Sequence, residues 1–440
     1  MTNDLLPDDI AQRRPCGSIG PGDDGGTVVV AGFVEDLRNL GNIAFLTVRD
    51  RSGKVQLTLL KKKMPELFAL ASSLSRESVV AATAKVQRSE KANAGFELLP
   101  SQLRLLGAAE SPLPLGPADA VGVEVETALN NRFLDLRRPQ TMAVFLCRAA
   151  ILRGVREQLQ QEDFIEVQTP KIVATATEGG AGLFPMQYFE RKAYLNQSPQ
   201  LYKQILMASG LDRVWEVGPA FRAEEHNTTR HLNEFTSIDI EMAYADDEAV
   251  MGVLERVLQA AMRSLNEHAP DALRTLGVTL VPPQLPLPRI TYDHCRALAA
   301  KRDITVAFGE DLSMEVLRAI ADELPDLYFI TRWPSAAKPF YIRPVPDSPQ
   351  HSFAFDLQYR EKEITSGGQR VHDVGMLQQR LLDQGLDPEA FAYYLKAFRY
   401  GMPPHAGWGL GADRLTLILT QRENVRECVL FPRDRERIVP

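Results

Sequence analysis

The first part of the chain alternates apolar and polar residues with the two-residue period of strands. Residues 27–34 are apolar and β-branched, and 43–49 alternate with Phe45, Thr47 and Arg49 on one face. Asp50-Arg51-Ser52-Gly53 reads as a turn, after which 54–59 alternate again. Residues 79–86 and 96–105 predict two more strands, and 65–74 a helix between them. Five short strands with one helix fit a small Greek-key β-barrel such as an OB-fold over 27–108. A small β-domain used for packing alone is the alternative. Residues 1–26 run through Gly17-Ser18-Ile19-Gly20-Pro21-Gly22 and Asp23-Asp24-Gly25-Gly26, so they are expected to form a flexible leader.

Pro112, Pro114, Gly116 and Pro117 mark a hinge over 109–130, and the texture then changes. Pro139 suits the first turn of a helix. In that helix Met142, Phe145, Leu146, Ala149, Leu152 and Leu159 fall on one predicted stripe, with Arg148 and Arg156 off it. A second amphipathic helix is expected over 249–265, with Asp246-Asp247-Glu248 at its positive end. Apolar strands are expected at 214–217, 235–242, 327–331 and 353–359. The fold class of 131–440 is therefore α+β on a largely antiparallel sheet.

Composition narrows the function. Lys and Arg number 50 against 57 Asp and Glu, a formal net charge of −7, which excludes a generally basic nucleic-acid coat but leaves room for local basic patches. No apolar run reaches the roughly 18 residues of a membrane span. The start, Met1-Thr2-Asn3-Asp4-Leu5, does not read as a secretory signal. Cys16, Cys147, Cys295 and Cys428 lie far apart, which disfavours zinc or disulfide frameworks and suits a reducing cytoplasm. The P-loop, G-x-G-x-x-G and H-E-x-x-H patterns are absent from the sequence, so a nucleotide would be held by another device.

Three stretches carry candidate chemistry. Residues 221–235 pack two arginines, two histidines and several carboxylates between two apolar strands. Such a loop is costly to desolvate unless it faces a charged ligand, and arginine grips phosphate bidentately. A solvated loop is the alternative, and a metal held by His226 and His231 lacks a third ligand at suitable spacing. In 355–370, Asp356 and Glu363 are paired carboxylates suited to Mg²⁺, and Gly367-Gly368 permit close backbone approach. A charged edge hairpin is the alternative there. Gly407, Gly409 and Gly411 precede a helix start carrying Arg414, which could cradle an anion.

Together these stretches resemble the signature motifs of a class II aminoacyl-tRNA synthetase. Phe164-Ile165-Glu166-Val167-Gln168-Thr169-Pro170 resembles motif 1, whose proline lies at the dimer interface. Residues 221–241 resemble motif 2, and 407–414 motif 3. Thr175-Ala176-Thr177-Glu178-Gly179-Gly180, Gln197-Ser198-Pro199-Gln200-Leu201-Tyr202-Lys203-Gln204, Arg230-His231-Leu232-Asn233-Glu234 and Phe431-Pro432-Arg433-Asp434-Arg435 are similar to aspartyl-tRNA synthetases of the archaeal and eukaryotic-cytosolic type. The resemblance runs from about residue 27 to the end of the chain.

The resemblance implies a homodimer that uses ATP, Mg²⁺, L-aspartate and tRNA. Arg222 and Arg414 would be catalytic, on the α- and γ-phosphates. Ala223, Glu224, Arg230, His231, Leu232, Glu363, Gly411, Ala412 and Asp413 would complete the ATP site. Glu363, Ser366 and Asp356 would lie at the Mg²⁺. Glu178, Gln200, Leu201, Tyr202, Lys203, Arg222, Ser366 and Arg370 would hold aspartate, with His405 lining the pocket. Ala406 departs from the more frequent His-Gly-Gly of the family.

In the barrel the resemblance makes Phe45 a stacking platform for an anticodon base and Gln56 a base reader, with Glu97 nearby. An ordinary core aromatic is the other role open to Phe45. Arg38, Lys54 and Lys61-Lys62-Lys63 could serve phosphates. Discriminating enzymes of this type resemble one another in a tryptophan two residues after the aromatic of a Gly-aromatic-Val element. Here Gly32-Phe33-Val34 is followed by Glu35, which favours charging of both tRNA(Asp) and tRNA(Asn). Asparaginyl-tRNA synthetase is a rival, opposed by Lys203, whose cation suits a side-chain carboxylate. A strictly tRNA(Asp)-specific enzyme, a degenerate RNA-binding paralogue and an amide-forming relative are the others.

Overall fold

The computed structural model describes residues 10–90, 92–119, 122–174, 182–226 and 228–440. The chain divides between Val123 and Glu124 into two compact units, inside the expected hinge.

The first unit is a closed five-stranded barrel. Its strands run in the order Thr27–Asn39, Ile43–Asp50, Gly53–Leu60, Phe96–Gly107, Val79–Arg88, closing onto the first. Strand alternation sets its faces: Ala44, Leu46 and Val48 fill the interior, while Phe45, Thr47 and Arg49 face outward. The helix Pro65–Ser73 inserts Phe68 and Ala71 into the same core.

The leader is a correction from residue 10 onward. Short 3₁₀ turns at Ile10–Gln12, Cys16–Ser18 and Pro21–Asp23 lie on the barrel. Cys16 and Ile19 are buried in its core, and the Cys16 and Gly17 N–H groups donate to Asp50 (2.9 Å) and to Ser52 Oγ (2.8 Å). Two apolar side chains outweigh the glycine-rich composition, because burying them removes roughly 1–3 kcal/mol of exposed apolar surface each.

The second unit is built on an eight-stranded sheet. Its order is Arg289–Thr291, Leu327–Thr331, Ala354–Tyr359, Lys362–Gln369, His405–Gly411, Glu234–Ala243, Arg213–Phe221, Ile165–Glu166. All neighbours are antiparallel except the two edge pairs. The helices Pro139–Gln161 and Asp247–His268 pack on one face. Asp246 caps the second by accepting from Ala249 N at 2.8 Å, as its acidic start predicts.

The stripe expected on Pro139–Gln161 is wrong in phase. Its buried face is Ala143, Cys147, Ala150, Ile151, Gly154 and Val155, with Leu159. Leu146 and Ala149 are exposed, and Met142, Phe145 and Leu152 are half-buried. The long helix behind approaches closely enough for Ser264 Oγ to donate to Ala150 O at 2.7 Å. Ala150 and Gly154, where the second helix leaves no room for a larger side chain, therefore set the phase, with Ile151, Val155 and Leu159 on the same buried face. Among the described residues no helix is long and apolar enough to cross a membrane.

Candidate active site

The strand Glu234–Ala243 alternates Ser237, Asp239 and Glu241 with the core residues Ile238 and Ile240. Its neighbour puts Gly411, Gly409 and Gly407 directly opposite those three polar residues. A Cβ at Gly407 would collide with the Glu241 carboxylate and the Ile240 carbonyl. The motif 3 glycines thus make room for carboxylates, where the sequence suggested an anion cradle. Gly367 and Gly368 are set in the same way by packing: a Cβ on Gly367 would lie 2.5 Å from the Phe355 ring, and one on Gly368 2.6 Å from Phe353 O. The register continues across the sheet, so that Asp239, Gly409, Ser366 and Asp356 form one row over four strands.

Glu363 and Ser366 are three positions apart, which in a regular strand would put them on opposite faces. Leu357 pairs with Thr365 and Gln358 with Glu363, leaving Ile364 as an extra, bulged residue. The bulge turns both Glu363 and Ser366 to one cleft of about 320 Å³.

That cleft brings together most of the expected residues. Gln200, Arg222, Glu224, Arg230, His231, Leu232, Glu363, Ser366, Arg370, Gly411, Asp413 and Arg414 all line it. Arg222 lies over the Phe235 ring at 5.3 Å, and its backbone N–H donates to Asn233 O at 2.9 Å. Arg414 reaches Glu363 O at 3.3 Å. Burial lowers the Arg414 pKa, Glu363 opposes the shift, and the nearby Arg222 and Arg230 deepen it. Burial and then Arg414 keep His231 below its usual range. Three guanidinium groups lining one cleft suit a polyanion.

The remaining predicted residues are placed otherwise. Leu201 and Ala412 are core residues, Ala223 is half-buried outside the cleft lining, and Tyr202 packs against Tyr393 with centroids 6.3 Å apart. Asp413 lines the cleft but is committed to structure, pairing with Arg148 and accepting from Thr236 N at 2.9 Å. Asp356 is buried, with one carboxylate oxygen 2.7 Å from Lys338 Nζ and the other without a hydrogen-bond partner. His405 is fully buried behind the cleft, contrary to expectation. Glu178 and the segment 175–180 lie outside the described residues.

Lys203 is the largest change. It too lies behind the lining, 2.8 Å from Asp239, 3.1 Å from Trp408 O and 3.7 Å from Glu241. Arg370 holds Glu241 bidentately at 2.9 and 3.3 Å. Burial works against the Arg370 charge, and the Glu241 pair outweighs it, so its pKa is raised. Lys203 and Arg370 therefore balance Asp239 and Glu241, and Arg370 is the cation of the four that reaches the cleft wall.

Sequence reasoning missed Ser237, Asp239 and Lys338, all in the lining. The alternation of Ser237, Asp239 and Glu241 was a usable signal; nothing local marked Lys338. It also missed the brace on the motif 2 loop, where Asn233 N donates to Arg433 O (2.8 Å) and Arg435 to Glu225 O (2.7 Å).

At the outer face of the barrel, Phe45, Gln56 and Glu97 are all half-buried, and Phe45 is not a core residue. Thr58, directly across from Phe45, donates to Glu97. Glu35 is the bulged residue of its strand, between Val34 and Asp36. Its carboxylate meets Lys54 at 3.0 Å and Arg49 at 3.8 Å, and Arg49 in turn pairs with buried Glu77 at 2.9 Å. Lys54 is thus engaged within the barrel.

A cleft lined by arginines and carboxylates on an antiparallel sheet, in a chain that also carries a five-stranded barrel of OB type, defines the class. The chain belongs to the class II tRNA synthetases (D, K and N), whose pattern matches residues 124–435, and an OB-fold nucleic acid binding domain matches 28–106. It is an aminoacyl-tRNA ligase. It is 53% identical to the aspartate–tRNA(Asp/Asn) ligase of Methanocaldococcus jannaschii, over 96% of this chain and 97% of that one. It is 50% identical to the aspartate–tRNA(Asp) ligase of Thermoplasma acidophilum, over 95% and 97%. Among solved structures it resembles asparaginyl-tRNA synthetase from Pyrococcus horikoshii complexed with asparaginyl-adenylate, with a TM-score of 0.92 and 32% identity over 97% and 99% of the two chains.

Proposed function

We propose that this chain is an aspartate–tRNA ligase that charges both tRNA(Asp) and tRNA(Asn). The observation that carries the activation step is the convergence of Arg222, Arg230 and Arg414 on the cleft that Arg370, Ser366 and Glu363 also line. An aspartate carboxylate oxygen attacks the α-phosphorus of ATP in line; the bond to the bridging oxygen breaks and pyrophosphate leaves. The nucleophile is already ionised near neutral pH, so no general base is needed, and rate comes from positioning and charge neutralisation. Arg222 bridges the α-phosphate and the attacking carboxylate, and Arg414 holds the γ-phosphate. Glu224 takes the adenine side, and Arg230, His231 and Leu232 line the nucleotide. A terminal ribose hydroxyl of tRNA then attacks the adenylate carbonyl and AMP leaves.

Mg²⁺ fits the donors present. Asp356 has a buried oxygen without a partner, Glu363 borders the cleft, and Ser366 lies directly across from Asp356. Loss of hydration and then the Asp356 charge raise the Glu363 carboxyl, the pattern of a pair awaiting a cation. Bound there with ATP, Mg²⁺ supplies charge neutralisation on the phosphates. Among the described residues no group of three or more His, Cys, Asp and Glu converges.

Arg370, Gln200 and the Lys203–Asp239 pair behind it select aspartate, and the resemblance assigns its ammonium to Glu178. The anticodon is read on the barrel by Phe45, with Gln56 and Glu97 beside it. Glu35, tied to Lys54 and Arg49, leaves that surface without a screening aromatic, which favours acceptance of both tRNAs. The segment ending in Pro170 and the exposed Leu146 and Ile165 form the contact of a homodimer. The enzyme works in the cytoplasm, where its four free, buried cysteines stay reduced. The test is aminoacylation of purified tRNA(Asp) and tRNA(Asn) with labelled aspartate and asparagine. Aspartate on both, within about tenfold (~1.4 kcal/mol), is expected. Asparagine-dependent pyrophosphate exchange would favour the rival enzyme instead.

A further inference from the structure

Behind the cleft, four side chains form a hydrogen-bond chain whose direction is fixed from its far end. His405 Nδ1 lies 2.8 Å from Pro403 O. A carbonyl only accepts, so Nδ1 carries the proton. Burial lowers the ring's pKa to about 4, so it is neutral near pH 7 and its Nε2 is a bare acceptor. The Gln204 amide nitrogen, 3.0 Å from Nε2, therefore donates to it. Gln204 Oε1 must then point the other way, where it accepts from Tyr394 OH at 3.1 Å and from Gln200 Nε2 at 2.9 Å. Of these side chains only Gln200 lines the cleft. Reversing either amide would set two donors or two acceptors face to face, at a cost that a buried site cannot pass to water.

We propose that Gln204 and His405 are positioning residues that lock the Gln200 amide so that it presents its carbonyl oxygen, and not its N–H groups, to the amino-acid end of the cleft. The group matched to that oxygen is a cationic donor. Resting on the function proposed above, it is the α-ammonium of aspartate, and a substrate carboxylate is turned away from this corner towards Arg370. Two glutamines four residues apart on one helical face, ending on a histidine that neither titrates near neutrality nor touches substrate, thus set the orientation of the bound amino acid.

Two measurements on the full-length enzyme decide this. Histidine ¹⁵N NMR, with His405 assigned by loss of its signal in His405→Asn, is expected to show the Nδ1–H tautomer; an Nε2–H tautomer overturns the lock. Gln204→Met keeps the side-chain volume and removes both hydrogen-bonding groups. It is expected to raise the aspartate KM in pyrophosphate exchange by about tenfold or more, the loss of one hydrogen bond to a charged group. The ATP KM and kcat should stay within about twofold, and so should inhibition by succinate, which lacks the ammonium. A merely structural role would weaken aspartate and succinate alike, and that result, or an unmoved aspartate KM, overturns the proposal. A wild type that does not use aspartate overturns the functional reading and the ammonium assignment with it, while the tautomer decides the lock by itself.

Discussion

The barrel and the cleft of the second unit handle charge in opposite ways. On the barrel, Glu35 pairs with exposed Lys54 and with Arg49, which also holds buried Glu77, and Phe45 stands on an outward face that strand alternation alone defines. At the cleft wall and just behind it, Arg370, Asp239, Lys203 and Glu241 are buried, and each cation is matched to a carboxylate on another element. Surface pairs are worth little and tolerate change, whereas a buried charge that loses its partner is costly. The Glu35–Lys54 pair can therefore change at small energetic cost, while the buried set is bound to one arrangement.

The sharpest way to break this contrast is Glu241→Gln. It leaves Arg370 buried without its bidentate partner, so a loss of about 3–5 kcal/mol in unfolding free energy is expected by denaturant titration. A loss below about 1 kcal/mol would show that the buried pairs behave like surface ones.

Arg222→Ala and Arg414→Ala should each cost about 10²–10³-fold in aspartyl-adenylate formation and leave tRNA affinity largely intact. A variant that loses tRNA binding but still makes adenylate would contradict the phosphate roles.

A pH titration separates the two regions as well. His405 sits near 4 in the fold against about 6.5 when exposed. The unfolded chain then binds the extra proton, so its contribution to stability is complete above about pH 6.5 and is lost as the pH falls towards 4, about 3 kcal/mol in all. Subtracting the unfolding profile of His405→Asn from that of the wild type should isolate this one-proton slope. Superimposable profiles would refute it.

On the barrel, Phe45→Ala should weaken tRNA charging by ~1–3 kcal/mol and leave tRNA-independent pyrophosphate exchange unchanged. The smallest stability effect is expected for Glu35→Trp, at most about 1 kcal/mol, since it breaks only partly exposed pairs. Its mark should be on specificity: tRNA(Asn) is lost while tRNA(Asp) is kept. Equal charging of both by the variant would place discrimination elsewhere.

The sequence by itself determined the barrel, the antiparallel sheet and the motif residues that converge on the cleft. Each rests on a local signal: the alternation in 43–49, the glycines opposite the 237–241 strand, the dense charge of 221–235. Only the tertiary structure decided the phase of the Pro139–Gln161 helix, because its inner face is chosen by the close approach of a second helix and not by which residues are largest. The same holds for Glu363 and Ser366, which share a face only through the bulge at Ile364, and for residues 10–26, whose two apolar side chains find the barrel core despite a glycine-rich context. Lys203 makes the point most directly. Its charge was plain in the sequence, but Asp239 lies on a distant strand, and only the fold brings the two together, buried and 2.8 Å apart.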